Sequence, residues 1–135
     1  PNNRLSAGRD LEGVRKVVLD AVQNAQGEGC SPGFLGVAIG GDRGTSYTAS
    51  KEVLLRDLED ENTDEDLKNL EIRITQEANQ MGIGPMGFGG NATVLGTKIT
   101  STHRLPASFF VTISYMCWAY RKRRMILADN KVTYE

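Results

Sequence analysis

Apolar residues recur at three- and four-residue spacing from Leu11 onward, and Val14, Val17, Val18, Ala21, Val22 and Ala25 complete one stripe. That period predicts an amphipathic helix over residues 10–26, with Asp10 and Glu12 at the positive end of its dipole. Gly27 and Gly29 stop it, and Cys30-Ser31-Pro32-Gly33 reads as a turn, because proline fixes one dihedral and glycine frees the next. Residues 34–39 are continuously apolar, the pattern of a strand covered on both faces. Glycines at 40, 41 and 44 end it, and a second helix is predicted from Thr45 or Ser46 to about Leu55. Residues 57–66 are almost all acidic and read as a solvated loop leading into a third helix. Thr63 and Asp66 have capping-box spacing, and Leu67, Leu70, Ile74, Ala78 and Met81 form the stripe behind them up to Gly82. Two strand-like runs follow at 92–100 and 109–120; in the second, Val111, Ile113, Tyr115 and Cys117 share one face by period two. A short last strand is predicted at 131–134.

Helix, strand, glycine loop, helix is the order of α/β layering, so the expectation is an α/β fold: a mixed β-sheet flanked by three main helices. At 135 residues the chain is expected to form a single domain over 1–135, large enough to bury a genuine core without staples. The formal net charge of -1 excludes a general nucleic-acid footprint. The basic run Arg121-Lys122-Arg123-Arg124 reads as a solvated or ion-paired strand end, with one arginine also suited to a carboxylate. No apolar run is long enough to span a membrane, and the opening Pro1-Asn2-Asn3-Arg4 is no secretory signal, so the two cysteines are expected to be reduced.

Glycine is in excess, 15 residues, and clusters. Gly82-Ile83-Gly84-Pro85-Met86-Gly87 matches the dinucleotide-binding pattern literally, but a helix precedes it and a strand follows, the reverse of what that site requires. Pro85 also removes an amide that would cradle a phosphate. What remains, continued by Gly89 and Gly90, is a loop that lets backbone approach a ligand closely, or a purely structural turn. Cys30 on its turn and Cys117 in its apolar strand each read first as a small buried apolar residue and only second as a ligand, and their spacing matches no zinc pattern. His103, the only histidine, reads as a satisfied loop residue or as an acid/base group.

Four separated segments, in order, resemble the class I, iron–sulfur fumarate hydratases. Gly29-Cys30-Ser31-Pro32-Gly33-Phe34-Leu35-Gly36 with Gly40-Gly41 is similar to the family's cysteine-proline and glycine segment, and Ala49-Ser50-Lys51-Glu52-Val53-Leu54-Leu55-Arg56 to its next helix. Gly82-Ile83-Gly84-Pro85-Met86-Gly87-Phe88-Gly89-Gly90 resembles its glycine loop, and His103-Arg104-Leu105-Pro106-Ala107-Ser108 through Cys117-Trp118-Ala119 its last cysteine segment. The resemblance spans about residues 11–124. It implies a [4Fe–4S] cluster held by three cysteine thiolates, with Cys30 and Cys117 at two of those positions and one iron left open to substrate. His103 matches a histidine near the substrate, implying a catalytic role. The implied reaction is reversible hydration of fumarate to L-malate in a reducing compartment, the cytoplasm or mitochondrial matrix. L-tartrate dehydratase, or a non-catalytic anion-binding module, is the alternative.

The implied partners are a small dicarboxylic acid and a second catalytic domain or β subunit, within a homodimer or heterotetramer, with no nucleic acid and no membrane. The family's first cluster cysteine lies upstream of the Cys30 position, and no residue before Cys30 replaces it. Two thiolates cannot close a three-cysteine site, so this chain is expected to be part of a larger catalytic subunit and inactive alone. The two sulfurs are expected within cluster-ligand range of each other, beside the 82–90 loop.

Overall fold

The computed structural model describes residues 8–119 and 124–134. The opening tetrapeptide, the end of the predicted 109–120 strand at Tyr120, and the first three residues of the basic run lie outside the described residues.

Asp10 stands just outside the first helix, where its carboxylate accepts the Gly13 N–H at 2.7 Å and caps α1, Leu11–Ala25. Val14, Val18 and Val22 of the predicted stripe are fully buried, whereas Leu11, at the open end, remains exposed. β1, Gly33–Gly41, is the buried central strand that its unbroken apolar run predicts. α2, Arg43–Glu52, starts two residues before the predicted position. The reason is Asp42: its carboxylate accepts the Gly44 and Thr45 amides at 2.8 Å, and Thr45 Oγ1 accepts the Asp42 N–H at 2.9 Å. A 3-10 turn, Val53–Leu55, continues it.

α3, Glu65–Gln80, buries Leu67, Leu70, Ile74 and Ala78 as expected. Its cap is a correction to the Thr63/Asp66 box: Asp64 accepts the Asp66 and Leu67 amides at 3.0 and 3.2 Å, leaving Asp66 inside the first turn. The acidic stretch before it is also less solvated than its composition implies. Asp60 pairs with Arg56 and Lys98, and Glu61 pairs with Lys68.

β2, Val94–Arg104, runs parallel to β1, while β3, Val111–Met116, runs antiparallel on its other side, giving the sheet order β2-β1-β3. This is an α/β fold with a mixed sheet and three helices. α1 and α3 pack together with one another, and α2 packs on β1 and β3. Between α2 and β3 the contact is polar: Ser46 Oγ donates to Thr112 Oγ1 at 2.8 Å, and the Ser50 and Ser114 hydroxyls meet at 2.7 Å.

The outer edge of β2 is capped at two places by side chains. Asn79 accepts the Thr93 and Val94 amides at 2.8 and 2.9 Å, and buried Glu71 accepts the Ile99 amide at 2.7 Å. A separate hairpin pairs β4, Met125–Ala128, with β5, Lys131–Tyr134. The final strand matches expectation; its short partner was not predicted. Asp129 and Asn130, with φ of 49° and 58°, make its tight turn. No helix among the described residues is long and apolar enough to cross a membrane.

Candidate functional site

Antiparallel pairing sets Phe34 of β1 across from Met116 of β3. The turn leading into β1 and the segment leaving β3 therefore emerge at the same end of the sheet, the first carrying Cys30 and the second Cys117. Both cysteines are free thiols of intermediate exposure. Cys30 has φ of 53°, and its N–H donates to the Gly27 carbonyl at 3.1 Å, which tucks the turn under the end of α1. Tyr115 belongs to the same neighbourhood. Burial pushes its phenol up, and negative charge on Cys30 and Cys117 pushes in the same direction.

Beside this end lies the glycine loop. Ser31, fully buried, donates its hydroxyl to the Gly84 carbonyl at 2.7 Å, and the Met86 N–H returns a bond to the Ser31 carbonyl at 2.8 Å. Gly84 has φ of +67° and meets the Gly89 carbonyl so closely that any Cβ there would collide with it. The loop thus folds on itself and is stitched to the Cys30 turn by one serine. As its context predicts, it follows a helix and precedes a strand, with a 3-10 turn at Pro85–Gly87. Met86, Phe88 and Trp118 are exposed apolar side chains on this part of the surface.

His103 lies elsewhere. β2 extends to Arg104, so His103 is an exposed strand residue near the Gly41 end of β1, not the loop residue expected. Parallel pairing places Ser101 beside Ile39 and Arg104 beside Gly41, at the far end of β1 from Phe34. Six residue steps lead along β1 from Phe34 to Gly40, roughly 20 Å at the usual strand rise. The structure brings Cys30 and Cys117 to one end and does not bring His103 to them.

Among the described residues, no three of His, Cys, Asp and Glu converge on a point that would hold a metal ion. The donor set at the cysteine end is two thiols, a soft set that suits an iron–sulfur group rather than a hard cation. Thiols next to a glycine-rich loop fit such a group as two of its protein ligands; they do not complete it. Two surface grooves lie away from this end. One, about 390 Å³, runs between α3 and β2 past Leu58, Ile72 and Leu95. The other, about 480 Å³, opens beside Arg56, Asn62 and Thr100. Sequence reasoning missed Ser31 and left Tyr115 as a face-sharing strand residue. The available signals were a serine ahead of a turn proline and an aromatic in register with Cys117.

The family model for fumarate hydratase (Fumerase) matches residues 3–126, nearly the whole chain. The chain belongs to this family. It is 56% identical over 92% of its length to a Geobacillus stearothermophilus protein named "Putative fumarate hydratase class I". It is 33% identical over 97% of its length to the L(+)-tartrate dehydratase subunit alpha of Escherichia coli strain K12. The fumarase-family chain spans 24% of the first relative and 43% of the second.

Proposed function

We propose that this chain is part of the cluster-binding region of a hydro-lyase that adds water to fumarate, giving L-malate, and removes it again. The single observation that carries the reading is the emergence of Cys30 and Cys117 from the same end of an antiparallel strand pair, beside a glycine loop. In a chain of this family, those thiolates supply two of three ligands to a [4Fe–4S] cluster. When bound, the cluster supplies a Lewis-acidic iron that polarises the hydroxyl and carboxylate of a small dicarboxylic acid.

This chain's residues then have definite tasks. Cys30 and Cys117, as thiolates, grip the cofactor from two backbone segments. Ser31 locks the Cys30 turn to the glycine loop through Gly84 and Met86, so that the ligand and the loop move as one body. The glycines of the loop let its backbone come close to a group held by the thiols. Proton transfer is not assigned to His103, because β2 carries it to the opposite end of the sheet. The third cysteine, the substrate-binding cations and the proton-transferring group come from a further domain or a β subunit, as the subunit designation of the tartrate dehydratase relative favours. The enzyme operates in a reducing compartment, such as the cytoplasm.

The test is anaerobic reconstitution, with iron and sulfide, of the polypeptide and partner that contain this chain. A brown protein whose absorbance near 400 nm is lost in Cys30→Ala and in Cys117→Ala is expected. Retention of colour in both variants would overturn the assignment. Turnover of L-tartrate but not fumarate by the same preparation would select the second substrate, which the 33% identity to a tartrate dehydratase subunit keeps in view.

A further inference from the structure

One side chain at the cysteine end has no part in the chemistry above. Tyr115 sits across from Leu35 on β1, which turns its ring over the face that Gly33 shares two residues away. That ring leaves no space for a side chain at two positions. A Cβ on Gly29 would stand 2.5 Å from Cε1 and 2.8 Å from Cζ of Tyr115, and a Cβ on Gly33 would stand 2.5 Å from its hydroxyl oxygen. Neither glycine is among those with positive φ, so neither is demanded by backbone conformation. Space alone demands them, and the ring is what takes the space. Gly29 and Gly33 bracket the short connection that holds Cys30, and Cys117 follows Tyr115 by two residues on the same chain segment. One aromatic ring therefore touches both ends of the first cysteine's turn and is covalently close to the second.

We propose that Tyr115 is a positioning residue: its ring, seated on Gly29 and Gly33, is the spacer that sets how closely the Cys30 turn approaches the Cys117 turn. The inference rests on the reading of these two cysteines as ligands of one group, and it deepens that reading. The spacing of two thiols is a property of the fold before any cofactor arrives. A ring held between two backbone segments is a stiffer gauge than a flexible side chain, because its packing fixes both of its torsions.

The experiment uses the whole chain with reduced thiols and a bifunctional bromobimane, which becomes fluorescent when it bridges two sulfurs. Bridging rates are divided by the single-site alkylation rates of Cys30 and Cys117, read by mass spectrometry, so that exposure cancels. Wild type and Tyr115→Phe are expected to bridge at matching rates, since both keep the ring. Tyr115→Ala is expected to slow bridging by about tenfold or more, because rate falls steeply when two reacting groups are no longer held together. Gly33→Ala moves the ring without altering Tyr115 or either thiol and is expected to slow bridging as well. Circular dichroism checks that each variant is folded, and Gly33→Ala decides the matter if Tyr115→Ala is not. Wild-type rates in both Tyr115→Ala and Gly33→Ala overturn the spacer role while leaving the two-thiol site standing. Tyr115→Phe as slow as Tyr115→Ala also overturns it, because the hydroxyl would then be responsible. No bridging in wild type overturns the two-thiol site, and the spacer with it.

Discussion

Replacing Glu71 by alanine removes an acceptor shared by three donors. Its Oε1 takes the Ile99 N–H at 2.7 Å, the Asn62 amide at 2.9 Å and the Arg56 guanidinium at 2.7 Å. The Glu71 side chain is 7% exposed and that of Arg56 23%, so water cannot freely replace what is lost. A buried backbone amide left unsatisfied costs about 1–3 kcal/mol. Arg56 keeps Asp60 as a partner, which limits its loss to a fraction of the 3–5 kcal/mol typical of a broken buried pair. The sum is about 3–4 kcal/mol for Glu71→Ala, a large share of the ~5–15 kcal/mol that holds a domain together. Glu71→Gln keeps a carbonyl oxygen, but neutral and with two lone pairs for three donors, so about 1–2 kcal/mol is expected. Urea denaturation followed by circular dichroism measures both, with the alanine midpoint expected to fall by roughly 2 M at an ordinary slope. An alanine loss below about 1 kcal/mol, or a glutamine loss equal to it, would refute the shared-acceptor reasoning.

Other outcomes follow from the same structure. Burial raises the Asp60 carboxyl, but hydrogen bonds and charge from Arg56 and Lys98 outweigh it and hold the group below its ordinary range. Its contribution is therefore complete above the unfolded value and is lost as pH falls through the lower folded value; urea midpoints should drop from about pH 4 downward, less steeply in Asp60→Asn. Ile74, fully buried in the α3 stripe, should cost about 2–5 kcal/mol as alanine, read by thermal unfolding. Ser31→Ala leaves the Gly84 carbonyl with the Gly87 N–H alone and loosens the loop, so amide exchange at Gly84, Met86 and Gly87 should accelerate while β1 stays protected; unchanged loop exchange would contradict the stitching role. Deleting the hairpin from Met125 onward should leave the melting temperature of the rest nearly unchanged, since every described residue of β4 and β5 is exposed and, among the described residues, the two strands pair with each other.

The parts of the fold that were legible beforehand are those whose burial repeats along the chain. The Val14, Val18, Val22 stripe, the Leu67 to Ala78 stripe and the solid apolar run of β1 each announce their element through a period. Boundaries were less legible where several polar residues compete for one cap: Asp42 and Asp64 won over Ser46 and Thr63 by geometry that appears only once the helix has started. β2 outran its prediction because its last residues, Ser101 to Arg104, are polar and exposed yet still paired with β1. The burial of Glu71 and Lys98 has no local signal, because their partners arrive from the 56–62 segment and β2, contacts no local pattern encodes. The cysteine site was legible only through resemblance to a family, since the register that carries Cys30 and Cys117 to one end is a property of the β1–β3 ladder.

The side-chain caps along the flank of β2 also guard it against stray strand pairing. With the Thr93, Val94 and Ile99 amides already spoken for by Asn79 and Glu71, a strand laid along that side would have to displace both side chains to reach those donors. That protection comes from two side chains of one helix, on the opposite margin of the sheet from the strand that leads to Cys117.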